Sequence, residues 1–216
     1  MQRLIKTVVA GLFTIVVVSP LAAQPVPILR QNQIEVGAFG GFNYGADNSH
    51  GMGGGNITYS ALRWLLPYAE VSYLPGVQRS VVNSANGVPT TKDVFNIPFT
   101  AVDFGVHVRF RVPHTRIVPY AVAGGGLMHW PGTTDRTYQN SASSGAPSWF
   151  QTGTLSESGG TSYATNLGGG VRYYVGEQFG FRAETKGYRV NNPASKPGVG
   201  PWIYQATFGI FFQFGL

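Results

Sequence analysis

From Val102 to Arg111 the chain alternates without a slip. Val102, Phe104, Val106, Val108 and Phe110 form one row, and Asp103, Gly105, His107, Arg109 and Arg111 form the other. Successive side chains of a strand point to opposite faces, so a strand of this composition divides two very different environments.

The pattern recurs along the chain. Ile34, Val36, Ala38, Phe42 and Tyr44 oppose Glu35, Gly37, Gly41 and Asn43, and Ile57, Tyr59 and Ala61 continue the apolar row. Ala69, Val71 and Tyr73 oppose Tyr68, Glu70 and Ser72, and Val118, Tyr120 and Val122 form a further apolar row. Tyr163, Leu167, Val171 and Tyr173 oppose Asn166, Gly168, Gly170 and Arg172, while Phe179, Phe181 and Ala183 oppose Gly180, Arg182, Glu184 and Lys186. The terminal TFGIFFQFGL sets Phe208, Ile210, Phe212, Phe214 and Leu216 in one row, which completes eight segments. Thirty glycines and only 11% charged residues suit such an all-β chain and suit a helical one poorly.

The connections decide the topology. Short links at Arg63–Leu65, Val112–Ile117 and Gly176–Glu177 alternate with long ones at Gly45–Gly53, Pro75–Pro98, His129–Gly160 and Arg189–Pro201. Tight turns on one side and long polar loops on the other, over an even number of strands, describe an eight-stranded antiparallel up-and-down transmembrane β-barrel. Ahead of it, Arg3 and Lys6 precede an apolar run from Thr7 to Val18 and a small-residue segment ending Ala22-Ala23. That run is too short to span a bilayer as a helix, which needs about 20 residues, so residues 1–23 read as a cleavable signal peptide and 24–216 as the barrel domain. Of 15 basic groups, 13 remain in 24–216 against all 9 acidic ones, and no basic run is interleaved with aromatics. Nucleic acid is therefore not an expected partner. The absence of cysteine excludes disulfides and thiol chemistry.

A soluble barrel also alternates, but it turns its charged row to water. Here the charged row is rich in glycine (Gly105, Gly168, Gly170, Gly180 and Gly209), which fits a crowded interior, and the bulky residues fit an exterior of unlimited space. The expected lumen network is Glu35, Glu70, Asp103, His107, Arg109, Arg111, Arg172, Arg182, Glu184 and Lys186. It is close to neutral, as buried ions must be. The opposite row carries no formal charge and is expected to face lipid, with Trp64, Trp202, Tyr73, Tyr120, Tyr163 and Tyr173 near segment ends as an interfacial girdle.

The leader, the eight segments, the loop rhythm, the terminal IFFQF and the phrases VPYAVAGGG and LRWLLPYAEVSYLPG together resemble the small OmpA/OmpX-type outer-membrane β-barrel family over the whole mature chain. The resemblance implies a multi-pass protein of the Gram-negative cell envelope. It also implies a C-terminal strand (Phe208, Ile210, Phe212, Phe214, Leu216) that serves as the handle for the outer-membrane assembly machinery, and outer-membrane lipid as the surrounding partner.

Catalytic chemistry finds few residues. Lipid A deacylases of this architecture carry a His-x-Ser pair, and none of His50, His107, His114 and His129 has Ser two residues on. No carboxylate or histidine cluster has metal-ligand spacing, and neither GMGGGN nor AGGGLM has the Lys-Ser/Thr ending of a phosphate loop. No cofactor and no enzymatic activity are expected. The expected role is a structural membrane element with a lumen plugged by side chains. Its long extracellular loops would serve surface binding or adhesion, with Val81, Val82, Trp149 and Phe150 as candidate contacts to an unknown ligand. The alternatives are a narrow, weakly anion-favouring, porin-like pore lined by Arg109, Arg172, Arg182 and Lys186, and then a lipid-modifying enzyme.

Overall fold

The computed structural model describes residues 29–44, 49–85, 88–140, 149–156, 159–191 and 202–215; within these, 76–85, 88–97, 133–140 and 149–156 are described by backbone pairing alone. The expected signal peptide, residues 1–23, and Leu216 lie outside the described residues.

Ten strands form one antiparallel sheet: β1 (Gln33–Tyr44), β2 (His50–Tyr59), β3 (Leu65–Ala85), β4 (Val88–Arg109), β5 (Ile117–Trp130), β6 (Thr133–Asn140), β7 (Trp149–Ser156), β8 (Gly160–Tyr174), β9 (Phe179–Val190) and β10 (Trp202–Gly215). Eight of them, β1 to β5 and β8 to β10, close on themselves, because β10 pairs with β1 from Gln33↔Gly215 to Tyr44↔Tyr204. Closure leaves the membrane-spanning part of the wall no unpaired edge, the condition for a sheet to sit in hydrocarbon. All eight alternating segments of the sequence are strands of this wall.

The face assignments hold for seven strands. Val36, Phe42, Ile57, Val71, Phe104, Leu167, Phe208, Ile210, Phe212 and Phe214 are exposed on the outside, whereas Glu35, Glu70, Asp103, Arg172 and Lys186 are buried within. This apolar exterior makes the molecule a membrane-spanning barrel. From Tyr204 to Phe214 the outer row of β10 covers ten residue steps. That is about 33 Å of strand and, at a tilt near 40°, about 25 Å of bilayer.

β5 departs from expectation. Val118, Tyr120 and Val122 are buried in the lumen, and Pro119, Ala121 and Ala123 take the outer row. Both rows of VPYAVA are apolar, so nothing local marks the inner face; the register with β4, which sets Val122 opposite His107, does. Tyr120 therefore belongs to the interior and not to the girdle. Arg111 is also corrected. β4 ends at Arg109, and after a last ladder bond from Phe110 N to Pro119 O the chain turns through Pro113 and His114, the latter at φ 60°. Arg111 is exposed in that turn, outside the lumen.

Two of the long connections, Pro75–Pro98 and His129–Gly160, are also less loop-like than expected. Pro75–Pro98 is mostly strand, since β3 and β4 keep pairing to Ala85↔Val88 with irregularities after Leu74 and Asn83. β4 is 22 residues long, whereas a bilayer needs about 9–11. Its surplus, on the side of the long connections, therefore extends beyond the membrane. β6 pairs there with β4 (Thr91↔Asn140 to Asn96↔Asp135) and β7 pairs with β6. Val81 and Val82 thus lie on β3, and Trp149 and Phe150 open β7; all four belong to a projecting four-stranded sheet and not to loops.

Candidate functional site

The lumen holds the only assembly of buried ions among the described residues. It contains Glu35, Glu70, Asp103 and Glu184 against Arg109, Arg172, Arg182 and Lys186, four of each sign once Arg111 is removed. Neutrality is a physical requirement here, because an uncompensated ion in a dry interior costs several kcal/mol.

Two groups of pairs share the space. On β9, Lys186 Nζ lies 2.5 Å from Glu70 Oε1 and 3.0 Å from Glu184 Oε1, and Arg182 stands 3.7 Å from the other Glu70 oxygen. Alternation places Arg182, Glu184 and Lys186 in one inward column, and Glu70 on β3 reaches them across the barrel. Nearer the short turns, Arg172 on β8 donates to Glu35 Oε1 on β1 at 3.0 Å. Tyrosines supply further donors: Tyr120 to Glu184 at 2.6 Å and Tyr188 to Asp103 at 2.8 Å. Arg109 instead reaches the Tyr174 hydroxyl at 3.3 Å and Ser60 at 3.4 Å.

His107 connects the two groups. Its ring lies between Tyr68 and Tyr120, with centroids 4.5 and 4.9 Å away. Arg172 Nη2 is 2.9 Å from His107 Nδ1, and a guanidinium can only donate, so Nδ1 accepts and the ring hydrogen resides on Nε2. That hydrogen faces Glu184, whose Oε2 is 3.8 Å from Nε2. Glycine makes room for the two flanking rings. A Cβ on Gly105 would come within 2.7 Å of the Tyr68 ring, and one on Gly170 would stand 2.6 Å from the Tyr120 hydroxyl.

An apolar cluster lies in the lumen on the side of the long connections. Phe39, Met52, Leu74, Phe99, Ala101, Met128, Trp130, Ala164, Tyr188, Val190 and Ile203 pack as one cluster, none more than 8% exposed. At the opposite end Val118, Tyr174 and Phe211 pack together with Leu29 against them. Sequence reasoning found the ions and missed both clusters. The signal was there in Phe39, Leu74, Phe99 and Ile203, which share rows with polar residues and break the rule that the inner row is polar.

Expected site residues thus divide plainly. Nine of the ten lumen residues are brought together, and Arg111 is not. Phe208, Ile210, Phe212 and Phe214 face outward as expected. Of the other histidines, His129 faces outward with Nδ1 3.1 Å from Thr161 Oγ1, and His114 lies exposed in a turn.

No protein-family model matches the chain, and no curated protein matches it by sequence. Solved structures do match. A major outer membrane protein from Thermus thermophilus superposes with a TM-score of 0.54 at 9% identity, over 84% of this chain and 99% of that one. The N-terminal β-barrel domain of Pseudomonas aeruginosa OprF gives a TM-score of 0.44 at 20% identity, over 85% and 98%. Neisserial surface protein A gives 0.46 at 13% identity, over 84% and 96%. At these identities the likeness is one of fold. The Thermus superposition agrees with the closed eight-stranded wall, whose apolar exterior is that of a transmembrane β-barrel.

Proposed function

We propose that this outer-membrane barrel is closed. It acts as a structural element of the membrane, without catalysis of its own, and presents the sheet of β3, β4, β6 and β7 beyond the bilayer for surface binding. The observation that carries the closed reading is the apolar cluster in the lumen. Leu74, Met128 and Tyr188, at 0% exposure, stand between the ion network and the side of the long connections. A hydrated ion entering there would have to shed water against side chains that offer it nothing in return. The balance of four acidic and four basic groups supports the same reading, since a lumen built to favour anions would carry surplus positive charge. A non-catalytic reading is supported by the best-placed histidine, His107, being held between two rings and engaged by Arg172.

The test is conductance. The refolded protein, shown to be folded by its heat-shifted gel mobility, is placed in a planar bilayer and is expected to stay silent. Steady, discrete current steps would overturn the closed reading and return attention to Arg109, Arg172, Arg182 and Lys186 as pore-lining groups. Surface binding is tested separately, by comparing adhesion of cells that display the intact chain with cells that display one lacking residues 133–156.

A further inference from the structure

Along the outward rows of the eight wall strands, wherever side chains are described, one residue alone carries a formal charge: Arg189, near the end of β9. An arginine facing mid-bilayer would cost about 2–4 kcal/mol, falling to about 0–1 at an interface, and its place in the register shows which applies. Arg189 pairs with Trp202, the first residue of β10, and with Thr165 on β8. It therefore lies at the end of the barrel where the long connections emerge, level with the outer leaflet's headgroups.

Its neighbours form a shelf of rings. Trp202 and Tyr204 stack with centroids 6.2 Å apart and planes 9° apart, and Tyr204 stacks in turn on Tyr44 at 5.4 Å. Tyr204 spreads over Gly187, where a Cβ would stand 3.3 Å from its ring, so the ring lies along the outer surface below Arg189. Tyr163 bounds the site on β8, where its carbonyl accepts from Asn191 N. No carboxylate occupies the outward rows of β8, β9 or β10 among the described residues, so the counter-charge does not come from this surface.

We propose that Arg189 and the Trp202–Tyr204 shelf bind the phosphorylated sugar headgroup of an outer-leaflet glycolipid. The guanidinium takes the phosphate through two parallel N–H donors, which an ammonium cannot match. The stacked rings offer the sugar a flat, amphipathic face at headgroup depth. The site lies on the outer wall, so it is independent of whether the lumen conducts.

The test uses the full chain produced in an outer membrane, extracted in mild detergent and delipidated, with phosphorylated lipid A as probe and native mass spectrometry as readout. The unaltered protein is expected to retain one lipid A molecule in preference to its dephosphorylated form. Arg189→Ala is expected to lower that occupancy about tenfold, the scale of one charge-assisted pair, and Arg189→Lys to restore part of it. Trp202→Ala is expected to weaken both forms of the lipid. Heat-shifted mobility shows that each variant is folded, which an outward substitution permits. Equal retention by Arg189→Ala, equal retention of the dephosphorylated lipid, or equal retention of phosphatidylglycerol would each overturn the proposal, the last by showing general attraction to anionic lipid.

Discussion

Arg172 and Lys186 are both buried cations, yet they are secured differently. Lys186 touches two carboxylates, whereas Arg172 has Glu35 as its one ion-pair partner among the described residues, with the Tyr120 ring 4.4 Å from its guanidinium carbon. Removing one partner of a buried pair costs about 3–5 kcal/mol because the other charge is left uncompensated. Glu35→Ala is therefore expected to lower unfolding stability by about that amount, and Glu184→Ala by less, since Lys186 keeps Glu70. Urea titrations of both variants in lipid, followed by gel mobility, check the order; equal losses would mean that the network shares charge more widely than its pairs suggest. The ions were legible in the sequence because charge in an otherwise apolar strand has one place to go. Tyr120 was not. A tyrosine suits an interfacial girdle and a polar lumen equally, and only the carboxylate that accepts its hydroxyl hydrogen distinguishes the two.

Strands differ in how much of their orientation they carry themselves. β10 carries all of it: Phe208, Ile210 and Phe212 alternate with Thr207, Gly209 and Phe211, and the outer set is exposed while the inner set is buried. Phe208→Arg, which sets a charge on the outer face, is expected to cost about 2–4 kcal/mol, measured by the same urea titration. β5 carries almost none, since Val118 to Ala123 is apolar on both faces and its orientation is imposed by the neighbours on either side, β4 and β8. Tryptophan scanning reads this directly: a lipid-borne quencher is expected to reach tryptophan at position 121 or 123 and to spare one at 122. Quenching at 122 would restore the orientation that the sequence suggested. A single slip of one residue would exchange the two faces entirely, so the neighbours' register is a strong constraint.

At the scale of the whole molecule, the barrel and its projecting sheet are held by separate pairings. β4 contacts β5 from Thr100↔His129 to Arg109↔Tyr120, and only its outer part, Thr91–Asn96, pairs with β6. Sequence showed a long polar excursion at His129–Gly160 but not its strands, because the alternation there sets polar residues on both rows, as in TTDRTYQN, and carries no apolar face to detect. Such a hairpin is secured by its backbone ladder to β4 and adds nothing to closure of the wall. Its two ends are also close, since a Cβ on Gly159 would stand 3.1 Å from the Gly132 nitrogen. Excising residues 133–156 and rejoining the ends with a short glycine linker is therefore expected to leave the barrel folded. Shortening a surface connection changes loop entropy by roughly a kcal/mol at most, while every pairing of the eight-stranded ring remains. Retained heat-shifted mobility together with an unchanged urea midpoint is the expected result. A barrel that fails to fold would make the projecting sheet part of the folding core, with β4 needing β6 as well as β3 to hold its place.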